Sequence, residues 1–187
     1  PIFGGFDGLD AQEREPFRFG LVESAADSGT DTTDDLTYTL NKAIASVDDG
    51  EQLPANLLVM PGITDDVYTS KLISVAEKRQ DCLAIIDLEG DYRPKVESAY
   101  SVSDSSRRGS VTTAVNNMKS RNLNSSYGCA FYPWIQVRDT INSGELVWLP
   151  PSIAALGAMA RTEASSDLWF APAGFNRGGL SNLGGSA

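Results

Sequence analysis

The sequence predicts an α/β fold, a mostly parallel central sheet flanked by helices, with room for a short antiparallel edge element. Three observations predict it. Short continuous apolar runs recur at residues 56–60, 81–87 and 127–132, the length and character of strands buried on both faces. Segments with apolar residues at helical spacing alternate with those runs. The chain has 187 residues, 41% of them apolar and 21% charged, which suits one folded domain with a single core.

Residues 1–35 form a Gly-rich and acidic opening segment. Gly4, Gly5 and Gly8 around Phe6 and Asp7 predict a tight turn. Residues 27–35 lack apolar periodicity and predict an exposed loop. Core structure is expected over residues 36–174. Asp34 or Asp35 suits a helix cap, and Leu36, Leu40, Ala43, Ile44 and Val47 then make one helical stripe, with Gly50 as a stop. The run at 56–60 ends in Pro61-Gly62. Thr64 or Asp65 caps a second helix whose inner face carries Tyr68, Leu72, Val75 and Ala76. Asp65 and Asp66 suit its first turn, and Lys78 and Arg79 its last, where each sign complements the helix dipole. The second strand, 81–87, leads into a polar excursion over 89–109. Val111, Ala114, Val115 and Met118 give a third helix, and 127–132 a third strand closed by Pro133.

Residues 134–137 continue extended into a turn at Asn142-Ser143-Gly144, and 146–149 form another short strand. Pro150-Pro151 opens a helix over 152–161, where a missing N–H costs little. Trp134, Phe131, Leu149 and Met159 are expected in the core. Residues 175–187 complete a Gly/Asn/Ser-rich stretch that begins at Gly174 and predict a flexible tail. Pro1 in place of an initiator Met, with the Leu183–Ala187 ending, reads as a piece of a longer chain.

The net charge is −10. Residues 1–60 hold 12 Asp or Glu against 3 Lys or Arg, and the remainder 13 against 12. That balance disfavours a nucleic-acid partner, which needs clustered positive charge. The acidic third reads as solvated surface or as a surface that guides docking. No run reaches the roughly 18 apolar residues of a membrane span, and no signal peptide opens the chain. Cys82 and Cys129 lie in apolar runs and read as reduced, buried thiols of a protein assembled in the cytosol; a disulfide would need neighbouring strands.

The chain contains no histidine, so no Ser-His-Asp or Cys-His nucleophile is built from it. It has no phosphate-binding loop, and Gly4-Gly5-Phe6-Asp7-Gly8 departs from dinucleotide spacing. Asp65, Asp66, Asp87, Glu89 and Asp91 are predicted at the carboxyl ends of two strands, where α/β sheets bind ligands. Carboxylates there would suit Mg²⁺ or Ca²⁺, with Asp87 central; the plainer assignment is helix capping and solvated loop. Tyr127, Phe131, Tyr132 and Trp134 would suit base stacking, but only Arg121 and Arg138 lie near them in sequence, so they read as core. Arg107-Arg108 is a small basic spot, either solvated or paired with another subunit. The reading therefore names no catalytic residue, no metal ligand and no cofactor, and expects no enzyme.

Several segments resemble, in order, those of contractile-tail sheath proteins, the family that forms the outer sleeve of contractile bacteriophage tails. Gly4-Gly5-Phe6-Asp7-Gly8 resembles the family's glycine-rich opening. Residues 56–63, ending Met60-Pro61-Gly62-Ile63, resemble its strand ending in Pro-Gly. Arg79-Gln80-Asp81 through Ile86-Asp87 is similar to its "R-x-D … I-x-D" strand. Residues 126–134 resemble the strand ending in Tyr-Pro-Trp. Pro150-Pro151-Ser152 through Arg161, with Trp169 and Ala171-Pro172-Ala173-Gly174, resemble its last core helix and following turn.

The resemblance implies a subtilisin-like core that carries no catalysis. It implies a structural subunit that polymerises helically around a tail tube and contracts to drive the tube through the host envelope. The partners implied are neighbouring sheath subunits and the tail tube protein, in a virion assembled in the bacterial cytoplasm. A tailocin or secretion-system sheath fits the same motifs. The family's terminal arms and outer domains are not among these residues, so this chain alone is expected to be a monomer. The alternatives are a small carboxylate- or metal-dependent α/β phosphohydrolase and a non-enzymatic adhesion or adaptor module.

Overall fold

The computed structural model describes residues 35–90, 109–141, 144–175, 178–180 and 183–186. The Gly4–Gly8 turn, the 27–34 part of the expected loop, Asp91, Arg107 and Arg108 lie outside them.

Helix α1 spans Asp35–Ser46. It buries Ile44 beside Ile63 and Tyr68, with Leu40 half-buried at the edge of that cluster. Ala43 is exposed, so the buried stripe is narrower than its spacing suggested. The helix also stops before Gly50. Ser46 Oγ donates to the Ala43 carbonyl at 2.7 Å, the backbone competition by which serine weakens a helix end.

Strand β1 is Leu57–Val59, and helix α2 follows at Asp66–Arg79. Asp65 is the cap, its Oδ1 accepting from the Val67 N–H at 2.9 Å. Tyr68, Thr69, Leu72, Ile73 and Ala76 form the buried face. Strand β2 is Leu83–Asp87, helix α3 Val111–Ser120 and strand β3 Gly128–Phe131. The three strands form a parallel sheet in the order β1-β2-β3. Leu57 pairs with Leu83, and Ala84 with Gly128.

Side chains alternate along β2. Ala84 and Ile86 join Leu58, Leu72, Ile73, Ala76 and Cys82 in the main core. A small cavity of about 60 Å³ is lined by Ile73, Ile86, Met118 and Leu123, so α2 and α3 cover the same face. Two crossovers of one hand, running in one direction across a sheet, produce that arrangement. Gly128 lets α2 pack closely on β3, since a Cβ there would stand 3.1 Å from Ile73 Cδ1 and crowd it. On α3 only Ala114 is buried, and Val111 and Val115 are exposed.

Strands β4 (Ile135–Arg138) and β5 (Leu146–Leu149) pair antiparallel, Ile135 opposite Leu149. Helix α4 is Pro151–Ser165, one turn longer than expected, with Pro151 in its first turn. Strand β6, Leu183–Ser186, pairs with the other edge of β4. Two expectations change here. The antiparallel part is a separate three-stranded sheet, β5-β4-β6, rather than an edge element. Its third strand also comes from residues expected to be a flexible tail. Glycine and serine weaken strand propensity, but a free edge of β4 supplies backbone partners that composition cannot report.

Among the described residues no helix is long and apolar enough to cross a membrane.

Candidate functional site

The residues of most chemical interest meet at the carboxyl end of β2. Asp87 is fully buried. Its alternation along the strand turns it away from α2 and towards the start of α4. Its Oδ1 accepts from the Ser152 N–H at 2.8 Å. Its Oδ2 accepts from Ser152 Oγ at 2.7 Å and from the Gly62 N–H at 3.0 Å. Gly62 follows β1 in a turn at φ +82°, a backbone conformation that favours glycine. Helix α4 has no cap from its own preceding residue, Pro150. Asp87 supplies that cap from across the molecule, answering one of the free N–H groups at the helix start.

Burial raises the Asp87 pKa above its ordinary 3.8, and the bonds from Gly62 and Ser152 pull it back down. Both oxygens have protein partners, and the side chain is closed off from solvent.

The other candidate carboxylates are dispersed in role. Asp65 caps α2. Asp66 is exposed in its first turn. Glu89 Oε2 accepts from Asn117 Nδ2 of α3 at 3.2 Å. Among the described residues no group of three or more acidic, His or Cys side chains is arranged to hold a metal ion.

Of the aromatic set, Trp134 is 1% exposed and its Nε1 donates to the Leu88 carbonyl at 3.3 Å. It buttresses the same strand end from the residue after cis Pro133. Tyr127, Phe131 and Tyr132 are half-buried, as are Leu149 and Met159. Phe131, Leu149 and Met159 thus depart from the expected core. Phe131 and Met159 instead line an open apolar groove of about 460 Å³ that runs along α4.

Two arginines carry roles that the sequence reading missed. Arg79, expected as a charge for the helix end and as part of the "R-x-D" motif, has a side chain 2% exposed. It donates to the carbonyls of Val47, Leu53 and Ala55 and to both oxygens of Asp81. The spacing of Arg79 and Asp81 was the available signal. Arg121 donates to the Thr64 carbonyl at 2.7 Å and to Thr69 Oγ1 at 3.0 Å, tying the end of α3 to the start of α2. Arg138 is on β4, donating to the Gly144 carbonyl. The two cysteines are free thiols whose burial pushes their pKa values up. Cys82 immediately precedes β2 rather than lying within it.

No family model matches the chain, and no curated protein matches it.

Proposed function

We propose that this chain is the α/β core of a contractile-tail sheath subunit, a non-catalytic block of a helical polymer. One observation carries the reading. Four segments that resemble the family's motifs converge at the end of β2: Gly62 of the Pro-Gly turn, Asp87 of the "I-x-D" strand, Trp134 of Tyr-Pro-Trp, and Ser152 of Pro-Pro-Ser. Asp87 accepts from Gly62 and Ser152, and Trp134 donates to the adjoining Leu88 carbonyl, all inside the molecule. Residue types that invite a catalytic reading are thus occupied in joining strands to a helix.

Such a junction suits a mechanical part. Close-packed interiors move as units rather than deforming smoothly. In the proposed mechanism, subunits stack as rings around a rigid tube, and contraction shifts these blocks into a lower-energy packing while each stays folded. Contacts that do not close on themselves generate helical arrays. The subtilisin-like kinship of the core, the tube and sheath partners, and the virion as location belong to the same proposal. This chain alone is monomeric when dilute.

Electron microscopy of the full-length protein tests it. Striated tubular polymers are expected; a protein that forms none under any assembly condition would overturn the reading. The phosphohydrolase alternative has a separate test. Calorimetric titration with millimolar Mg²⁺, Mn²⁺ or Ca²⁺ is expected to give no heat of binding.

A further inference from the structure

The connection between α1 and β1 is clamped by Arg79. Its guanidinium donates to the carbonyls of Val47 at 2.7 Å and Leu53 at 3.1 Å, and to Asp81 Oδ2 at 2.9 Å. The dipeptide Asp49-Gly50 lies between the clamped points. Gly50 rests against the ion pair: a Cβ there would stand 2.8 Å from Asp81 Oδ2 and 3.2 Å from Arg79 Nη2, so a larger residue would push Asp81 aside. Asp49 closes the turn that follows. Its Oδ1 accepts from the Glu51 N–H at 2.9 Å and the Gln52 N–H at 3.4 Å. Its carbonyl accepts from the Leu53 N–H at 3.1 Å. Such a side-chain turn is a common use of aspartate. The fold thus favours Asp followed by Gly, with Asp49 exposed.

That pair is especially open to backbone rearrangement, because the glycine nitrogen has no adjacent Cβ to shield it. Attack of the Gly50 amide nitrogen on Asp49 Cγ forms an N–C bond. The carboxyl OH leaves with the proton from that nitrogen as one water. Water then reopens the five-membered ring. Cleavage at Cγ restores aspartate. Cleavage at the main-chain carbonyl leaves isoaspartate, with the chain running through the former side chain. The net mass is unchanged, and nothing is oxidised or reduced.

We propose that Asp49-Gly50 is a site of isoaspartate formation that the Arg79–Asp81 clamp holds in check. Ring closure needs Cγ within bonding reach of the Gly50 nitrogen, a near-attack geometry. In the folded chain the Asp49 carboxylate is instead engaged by the next two N–H groups. Turning it onto Gly50 breaks those bonds, and the clamp on Val47 and Leu53 resists the backbone change that goes with it. The reaction therefore proceeds from the locally opened connection, at a rate set by how often that connection opens. The product favours further opening. Isoaspartate adds one atom to the main chain, so the bonds to Glu51, Gln52 and Leu53 do not all re-form. Ageing thereby loosens the α1–β1 connection. None of this depends on the sheath reading.

Peptide mapping by mass spectrometry, after incubation in warm near-neutral buffer, tests the proposal. The folded wild type is expected to accumulate isoaspartate at position 49 roughly tenfold or more slowly than the same chain unfolded in guanidinium. Arg79→Lys and Asp81→Ala are expected to accumulate it faster than wild type in native buffer. Lys78→Ala, which removes only the neighbouring exposed pair with Asp48, is expected to keep the wild-type rate. Aged wild type is expected to show faster amide exchange over residues 47–55. Circular dichroism checks the fold of each variant, and the comparison of folded with unfolded wild type stands without them. Equal rates in folded and unfolded wild type, or no isoaspartate at position 49 even when unfolded, would overturn the proposal. So would folded Arg79→Lys and Asp81→Ala proteins that age no faster than wild type, or a Lys78→Ala protein that ages as fast as they do.

Discussion

Asp87 concentrates the energetics of this molecule. Its removal in Asp87→Ala leaves two buried N–H donors, on Gly62 and Ser152, without an acceptor. Each orphaned donor costs about 1–3 kcal/mol, so the variant is expected to lose roughly 3–5 kcal/mol in urea unfolding. Ser152→Ala keeps the backbone bond and loses only the hydroxyl, at about 1–2 kcal/mol. Trp134→Ala empties a fully packed site and is expected to cost roughly 3–5 kcal/mol. An unchanged melting temperature for Trp134→Ala would put the indole outside the core. The pH dependence follows from the direction of the Asp87 shift. A raised pKa means that the folded chain holds the proton more tightly than the unfolded one. The carboxyl therefore favours folding most below the ordinary 3.8, and that advantage declines as pH rises through the raised value. Asp81 has the opposite sign, because its bond to Arg79 lowers its pKa, and its contribution is lost as pH falls. Unfolding curves of wild type and Asp87→Asn across pH 3–8 are expected to diverge, with wild type losing stability relative to the variant as pH rises above 3.8.

Elements were legible where local signals and tertiary packing agreed. Asp65 caps α2 and β2 is an apolar strand because both messages lie within a few residues. Partnerships across long separations were not legible. Nothing near Pro150 announces that Asp87, 65 residues away in sequence, caps α4. Nothing in Leu183–Ser186 announces a strand, since its partner is the free edge of β4. Arg79 belongs to the same class. Its guanidinium reaches three carbonyls of the α1–β1 connection, a task for a planar donor that a lysine cannot reproduce. Arg79→Lys is expected to destabilise the fold by about 2–3 kcal/mol and to speed amide exchange over residues 47–55. Equal exchange in that connection would remove Arg79 as its anchor. The exposed pair Lys78–Asp48 lies beside it, and its loss is expected to cost about 0–1 kcal/mol.

At the scale of the molecule, the fold divides into a parallel sheet with its helices and a second, antiparallel sheet. The division was only half visible in advance. A strand pattern gives the character of a sheet but not which edges meet, and the second sheet depends on β6. The candidate site was readable as a set of residue types, but the partners that join Asp87 to Gly62 and Ser152 were not. Carboxylates at strand ends suggest metal binding, but each of the four described ones has an internal donor, a helix start or open solvent beside it. The groove along α4 could not be read from the sequence, because Phe131 and Met159 fit a core pattern equally well. In the proposed mechanism this domain remains a folded block while only its outer contacts change. Helical reconstruction of tubes in the extended and contracted states tests it most directly. Residues 35–90 and 109–174 are expected to superimpose between the two states, with the Asp87 bonds to Gly62 and Ser152 intact. A break of those bonds, or a rearranged β2–α4 junction on contraction, would contradict it.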